Sequence, residues 1–96
     1  SPSLKIWERF EEKGAEVDYH DPFLLEIPKT REHDTLQGRK SVELSADTLK
    51  QYDGVFVATD HEGVDYQLIA QHSKLIVDSR NVFEREGVKG EHIIKT

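Results

Sequence analysis

The feature that most constrains this chain is a pair of short, unbroken apolar runs with a helical pattern between them. Gly54-Val55-Phe56-Val57-Ala58-Thr59 and Lys74-Leu75-Ile76-Val77-Asp78 carry their apolar residues consecutively, not in alternation with polar ones. A strand with one wet face alternates, whereas a continuous run asks for cover on both faces, as in a parallel α/β sheet. From Gly63 to His72 the chain places Val64, Leu68 and Ile69 at helical spacing. Strand, helix and strand in that order make one crossover unit, right-handed by the general rule.

The rest of the sequence extends this pattern. Ser1-Pro2 is a helix-start pair, Leu4, Trp7 and Phe10 recur on one face, and Gly14 stands where a left-handed residue would end the helix. The spacing predicts a helix from Pro2 to Lys13. Ala15 to Tyr19 alternates as a short strand with Val17 inward, ended by His20-Asp21-Pro22. Little periodicity follows as far as Gln37, a long irregular stretch for a small domain. Ser41 to Leu44 reads as a brief strand, and Ser45 as the N-cap of a short helix through Leu49 to Tyr52. Gly87 and Gly90 mark turns, and His92 to Lys95 a last edge strand. This order predicts a single α/β domain over residues 1–96: a Rossmann-like, mostly parallel sheet with helices on both faces. Such domains open on a strand, and this chain opens in a helix cap. That leaves an unusual small fold or a fragment cut from a longer protein.

Charge and composition narrow the function classes. Thirteen Lys+Arg against 19 Asp+Glu give a net charge of −6, which is unsuited to neutralising a run of phosphates, so nucleic acid is not an expected partner. No apolar stretch approaches the roughly 20 residues of a membrane span. Without a signal-peptide core at its start, the chain reads as cytoplasmic. The absence of cysteine removes disulfides, thiolate metal sites and cysteine nucleophiles together. The five histidines (His20, His33, His61, His72 and His92) show no paired ligand spacing, and no metal is expected.

In open parallel sheets ligands bind beyond the carboxyl ends of the strands. Three such ends carry polar groups here: Tyr19-His20-Asp21-Pro22, Thr59-Asp60-His61 and Asp78-Ser79-Arg80-Asn81. Arg80 offers a planar fork of donors suited to phosphate or carboxylate. The competing reading is a surface arginine paired with Asp78 or Glu84. Asn81 suits a left-handed turn position. Thr59, Asp60 and His61 suit a helix cap, a contact to a base, or acid–base work, and Asp60 as N-cap is the plainest of these. His61 has no neighbouring nucleophile to activate. A phosphoacceptor receiver domain is imitated by Asp21 and Asp60 but lacks the lysine at the end of its last core strand. No Gly-rich phosphate loop is present, and no catalytic residue is assigned.

The segment Glu11-Glu12-Lys13-Gly14-Ala15-Glu16-Val17-Asp18-Tyr19-His20-Asp21-Pro22 resembles the "EEKGAxVxxYDP" signature of nucleotide-sugar dehydrogenases. Val57-Ala58-Thr59-Asp60-His61 and Val77-Asp78-Ser79-Arg80-Asn81-Val82 resemble two further signatures in the same order. Together they are similar to the C-terminal, UDP-binding domain of the UDP-glucose/GDP-mannose dehydrogenases. The resemblance implies a parent that oxidises C6 of a UDP-hexose or UDP-N-acetylhexosamine to the uronic acid, by two hydride transfers to NAD. It implies that NAD is held mainly by an N-terminal domain, that the catalytic cysteine lies outside this stretch, and that the chain is a fragment lacking the domain's first strand. A homo-oligomeric parent serving polysaccharide synthesis, and an isolated domain without turnover, follow from the same likeness. The substrate-binding residues it implies are Arg80, Thr59 and His61, the last two chiefly as loop-shaping residues. "ATDH" followed by "VDxRN" looks closer to the UDP-N-acetylhexosamine enzymes. The alternative is a stand-alone, non-enzymatic α/β nucleotide-binding or regulatory module.

Overall fold

A computed structural model describes residues 2–31 and 34–96; Ser1, expected to cap the first helix, and His33 lie outside the described residues. The chain divides into two compact units, Ser1–Val42 and Glu43–Thr96, each with its own core.

The first unit is built on helix α1 (Pro2–Glu12), which ends as expected at Gly14, whose φ of +94° few other residues adopt. Trp7 is the inward anchor. It shares a core with Ile27 and Leu36, packed against by Leu4, Val17 and Tyr19. Tyr19 lies 5.2 Å from Trp7, ring to ring, and the Arg39 guanidinium stands 5.6 Å from the Trp7 centroid. Arg39 also forks onto Glu11, at 3.0 and 3.2 Å, so the loop after α1 is clamped back onto the helix.

The strands expected at Ala15–Tyr19 and Ser41–Leu44 do not form. Both segments are extended, and they meet through the Val42 amide on the Tyr19 carbonyl at 2.8 Å; the nearest ladder contact is an isolated antiparallel bridge, Glu26 to Lys40. Side chains replace the ladder. Asp21 N–H donates to Ser41 Oγ at 2.9 Å, His20 Nδ1–H donates to the Val42 carbonyl at 2.7 Å, and Asp21 Oδ1 accepts the amides of Phe23 and Leu24. Aspartate and serine offering local bonds to backbone is the usual way an extended segment becomes a turn.

The second unit holds the sheet. Ser45 caps α2 (Ala46–Lys50) as expected, its Oγ accepting from the Thr48 amide at 3.0 Å. Then follow β1 (Val55–Val57), α3 (Tyr66–His72), β2 (Ile76–Asp78), α4 (Val82–Arg85) and β3 (Ile93–Lys95). Among the described residues the sheet has the order β1-β2-β3 and is parallel throughout, with Val57 beside Asp78 and Asp78 beside Lys95. The α/β, parallel-sheet expectation therefore holds, with the last edge strand where the sequence put it. Helix α3 starts at Tyr66, not Gly63, because Asp65 caps it by accepting the Leu68 amide at 3.0 Å. Helix α4 went unanticipated, since four residues are too few to show a period.

The core of this unit gathers Leu49, Val57, Tyr66, Ile69, Ile76 and Phe83, with Ile76 and Phe83 almost fully enclosed. Burying side chains of this size contributes about 1.5–3 kcal/mol each relative to leaving them exposed. His92, just before β3, donates from Nε2 to the Ala70 carbonyl at 2.6 Å and ties the last strand to the end of α3.

Candidate functional site

The site lies at the carboxyl ends of β1 and β2, where the sequence placed two polar loops. Ser79 stitches these ends together: its amide and its hydroxyl both donate to the Val57 carbonyl, at 3.3 and 2.5 Å. Asp78, the last residue of β2, is 1% exposed. Such a carboxylate must be satisfied internally. Its Oδ1 accepts the Arg80 amide and its Oδ2 the Phe83 amide, both at 3.0 Å. Asn81 completes the turn with φ +59° and ψ +31°, the left-handed conformation expected of it. The backbone of Arg80 is thus held by residues on either side of it.

The Arg80 side chain does not take the partners expected from sequence. Asp78 is committed to backbone amides, and Glu84 pairs with Lys95. Arg80 Nε instead meets Asp60 Oδ1 at 3.4 Å. This also corrects the reading of Asp60 as a helix cap, a place that Asp65 occupies. Arg85, unmarked in the sequence, donates from Nη2 to Asp60 Oδ2 at 2.9 Å and to the Arg80 carbonyl at 3.2 Å, and from Nε to the Asn81 carbonyl at 3.2 Å. The hydrogen bond from Arg85 holds the Asp60 carboxyl below the usual range, and Asp60 in return raises Arg85. Among the described residues, neither terminal nitrogen of Arg80 has a protein partner, and its side chain is 56% exposed.

The loop after β1 is fixed from below. Tyr66 Oη accepts the His61 amide at 3.0 Å and donates to the His61 carbonyl at 3.2 Å. Its buried ring meets Phe83 edge-on, with centroids 5.4 Å apart, so the residues holding the two loops touch in the core. Thr59 is exposed and His61 half-buried on this loop, with Asp60 between them facing Arg80. Sequence reasoning missed Tyr66 and Arg85. Only the aromatic opening α3 and a second arginine one helical turn beyond Asn81 were there to signal them.

The third expected strand end, Tyr19-His20-Asp21-Pro22, belongs to the first unit. There the Tyr19 hydroxyl donates to the Leu24 carbonyl at 2.7 Å, and burial, with the nearby Asp21 charge, raises its pKa. No group of three or more potential ligands gathers into a metal site among the described residues. No helix among them is long and apolar enough to cross a membrane.

Parallel strand ends presenting a fixed arginine define an α/β domain suited to an anionic ligand. Residues 1–85 match the UDP-glucose/GDP-mannose dehydrogenase family, UDP binding domain, and the chain belongs to that family. No curated protein and no solved structure matches the chain. The matched stretch contains Thr59, Asp60, His61, Arg80 and Arg85. It identifies the parent type as a nucleotide-sugar dehydrogenase and does not favour a stand-alone regulatory module.

The loop after β1 does not fit the Gly-rich type of site that holds the pyrophosphate of a dinucleotide cofactor. Such sites need a Gly-rich turn opening directly into a helix with free amides. Here the loop after β1 holds Gly63 alone, and the Asp65 carboxylate occupies the first turn of α3.

Proposed function

We propose that this domain holds the uridine diphosphate portion of a UDP-sugar, with Arg80 supplying charge to the diphosphate and the loop of Thr59 and His61 shaping the nucleotide pocket. The observation that carries the reading is Arg80 itself. Its backbone is fixed by the buried Asp78, its side chain is aligned through Nε, and its outer fork is open to an anion. A guanidinium fork matches phosphate oxygens two at a time.

In the parent, this domain positions the substrate while another part of the protein holds NAD and oxidises C6 of the sugar. The family membership supports that division, as does the poor fit of a Gly-rich dinucleotide site to the loop after β1. A UDP-N-acetylhexosamine is the preferred substrate class, on the "ATDH" and "VDxRN" segments. The parent is read as a cytoplasmic homo-oligomer, and a chain without cysteine asks nothing of an oxidising compartment.

Calorimetric titration of the chain with UDP tests the reading. Losing a hydrogen bond to a charged group costs about 1.5–3 kcal/mol, so Arg80→Ala is expected to weaken UDP roughly 10- to 100-fold. In the parent the same change raises KM for the UDP-sugar and leaves kcat nearly unchanged. Retention of native affinity by the variant overturns the assignment.

A further inference from the structure

Two residues that the sequence did not connect with Arg80 are joined to it in the structure. We infer that Asp60 and Arg85 are positioning residues that align the Arg80 fork for a diphosphate, an inference that rests on the UDP reading above.

An exposed arginine has many rotamers, and an anion that must select one of them binds more weakly. Asp60 touches Arg80 through Nε, the nitrogen nearest the chain, and so restrains the guanidinium without covering its outer edge. A carboxylate free to move would slide onto that edge and form the bidentate pair that guanidinium prefers. Asp60 is kept from doing so because its other oxygen is bound by Arg85 at 2.9 Å. Arg85 is anchored in turn on the carbonyls of Arg80 and Asn81, at 3.2 Å each. The turn that carries Arg80 therefore also supplies the anchor that orients it.

Charge points the same way. Arg80 and Arg85 share the single carboxylate of Asp60, while the other carboxylate of this turn, Asp78, is buried and engaged by the Arg80 and Phe83 amides, in a chain that totals −6. An anion is attracted there, and Asp60 is already neutralised by Arg85, so it does not repel one.

The test combines Asp60→Ala, Arg85→Met and Arg85→Lys with UDP titration of the 96-residue chain, and with NMR relaxation of the Arg80 Nε–H without ligand. The expected result is a three- to tenfold weaker Kd for Asp60→Ala and Arg85→Met. Arg85→Lys does not restore it, because one ammonium nitrogen cannot stand at both the Nε and the Nη2 positions from which Arg85 reaches its three acceptors. In an Arg80→Ala background, Asp60→Ala has no further effect. Without ligand, the Arg80 Nε–H is ordered in the native chain and mobile in Asp60→Ala and Arg85→Met.

Tighter UDP binding by Asp60→Ala overturns the proposal, since the carboxylate would then be a competitor. An Asp60→Ala loss that persists in the Arg80→Ala background also overturns it, since the effect would then come from the loop. An Arg80 Nε–H equally mobile in native and variant chains does so without reference to any ligand. Native binding of UDP that the Asp60 and Arg85 variants leave unchanged overturns this inference alone. Failure of the native chain to bind UDP overturns the UDP reading and this inference with it.

Discussion

The carboxylate of Asp78 accepts the amide of Phe83, five residues on, through a 3.0 Å bond sealed from water. That bond, with its twin to the Arg80 amide, fixes the turn that carries Arg80 at the end of β2. A buried carboxylate in a small apolar core is tolerated only because both its oxygens are engaged.

Replacing Asp78 with alanine leaves two amides without their acceptor, at about 1–3 kcal/mol each. The expected loss in urea unfolding is about 2–6 kcal/mol. Asp78→Asn keeps one oxygen acceptor and loses less. An alanine variant as stable as the native chain would show that the turn is held by something other than this carboxylate.

Tyr66 links the other loop to the same core. Tyr66→Phe keeps the edge-on contact with Phe83 but removes both bonds to His61. A stability loss of about 1 kcal/mol is expected from the missing hydroxyl. The more specific signature is local: amide exchange at His61 accelerates, while exchange at Ile76 in the central strand changes only by the global loss. Uniform acceleration across the second unit would instead mark Tyr66 as a packing residue alone.

At position 81 the backbone, not the side chain, sets the requirement. Asn81 makes no capping bond through its side chain, yet its φ is +59°. Asn81→Gly is therefore expected to be close to neutral in thermal unfolding, and Asn81→Val to lose about 1–2 kcal/mol, the penalty of a left-handed residue with a bulky Cβ. Equal stability in the two variants would mean that the turn relaxes out of that conformation.

The contrast between the two units shows what the sequence could reveal. The runs at Val55–Val57 and Ile76–Asp78 were readable because burial on both faces leaves a continuous apolar signal. Ser45, Gly14 and Asn81 were readable because each meets a local backbone demand. Ala15–Tyr19 misled because alternation promises a strand only where a partner strand is at hand, and Asp21, His20 and Ser41 supplied the bonds instead. The site divides in the same way. Arg80 stood out by its place after a buried strand, whereas the bond that Arg85 donates to Asp60 spans residues with no local pattern joining them.

The pH dependence of the site follows from two surface carboxyls. Asp60 is lowered chiefly by its hydrogen bond from Arg85, and Glu84 by its hydrogen bond from Lys95. A carboxyl whose folded pKa lies below its unfolded value contributes stability above the unfolded value, and loses it as pH falls through the folded one. Unfolding temperature is therefore expected to be insensitive to these groups from neutrality down to about pH 5, then to fall as pH drops through and below the ordinary carboxylate range near 4. Glu84→Gln should flatten part of that fall while leaving UDP affinity at neutral pH unchanged. Asp60→Asn should flatten another part and weaken UDP as well. Both pairs are exposed, so high salt should shrink the two effects together. A stability profile equally steep in the native chain and both variants would place the acid sensitivity elsewhere.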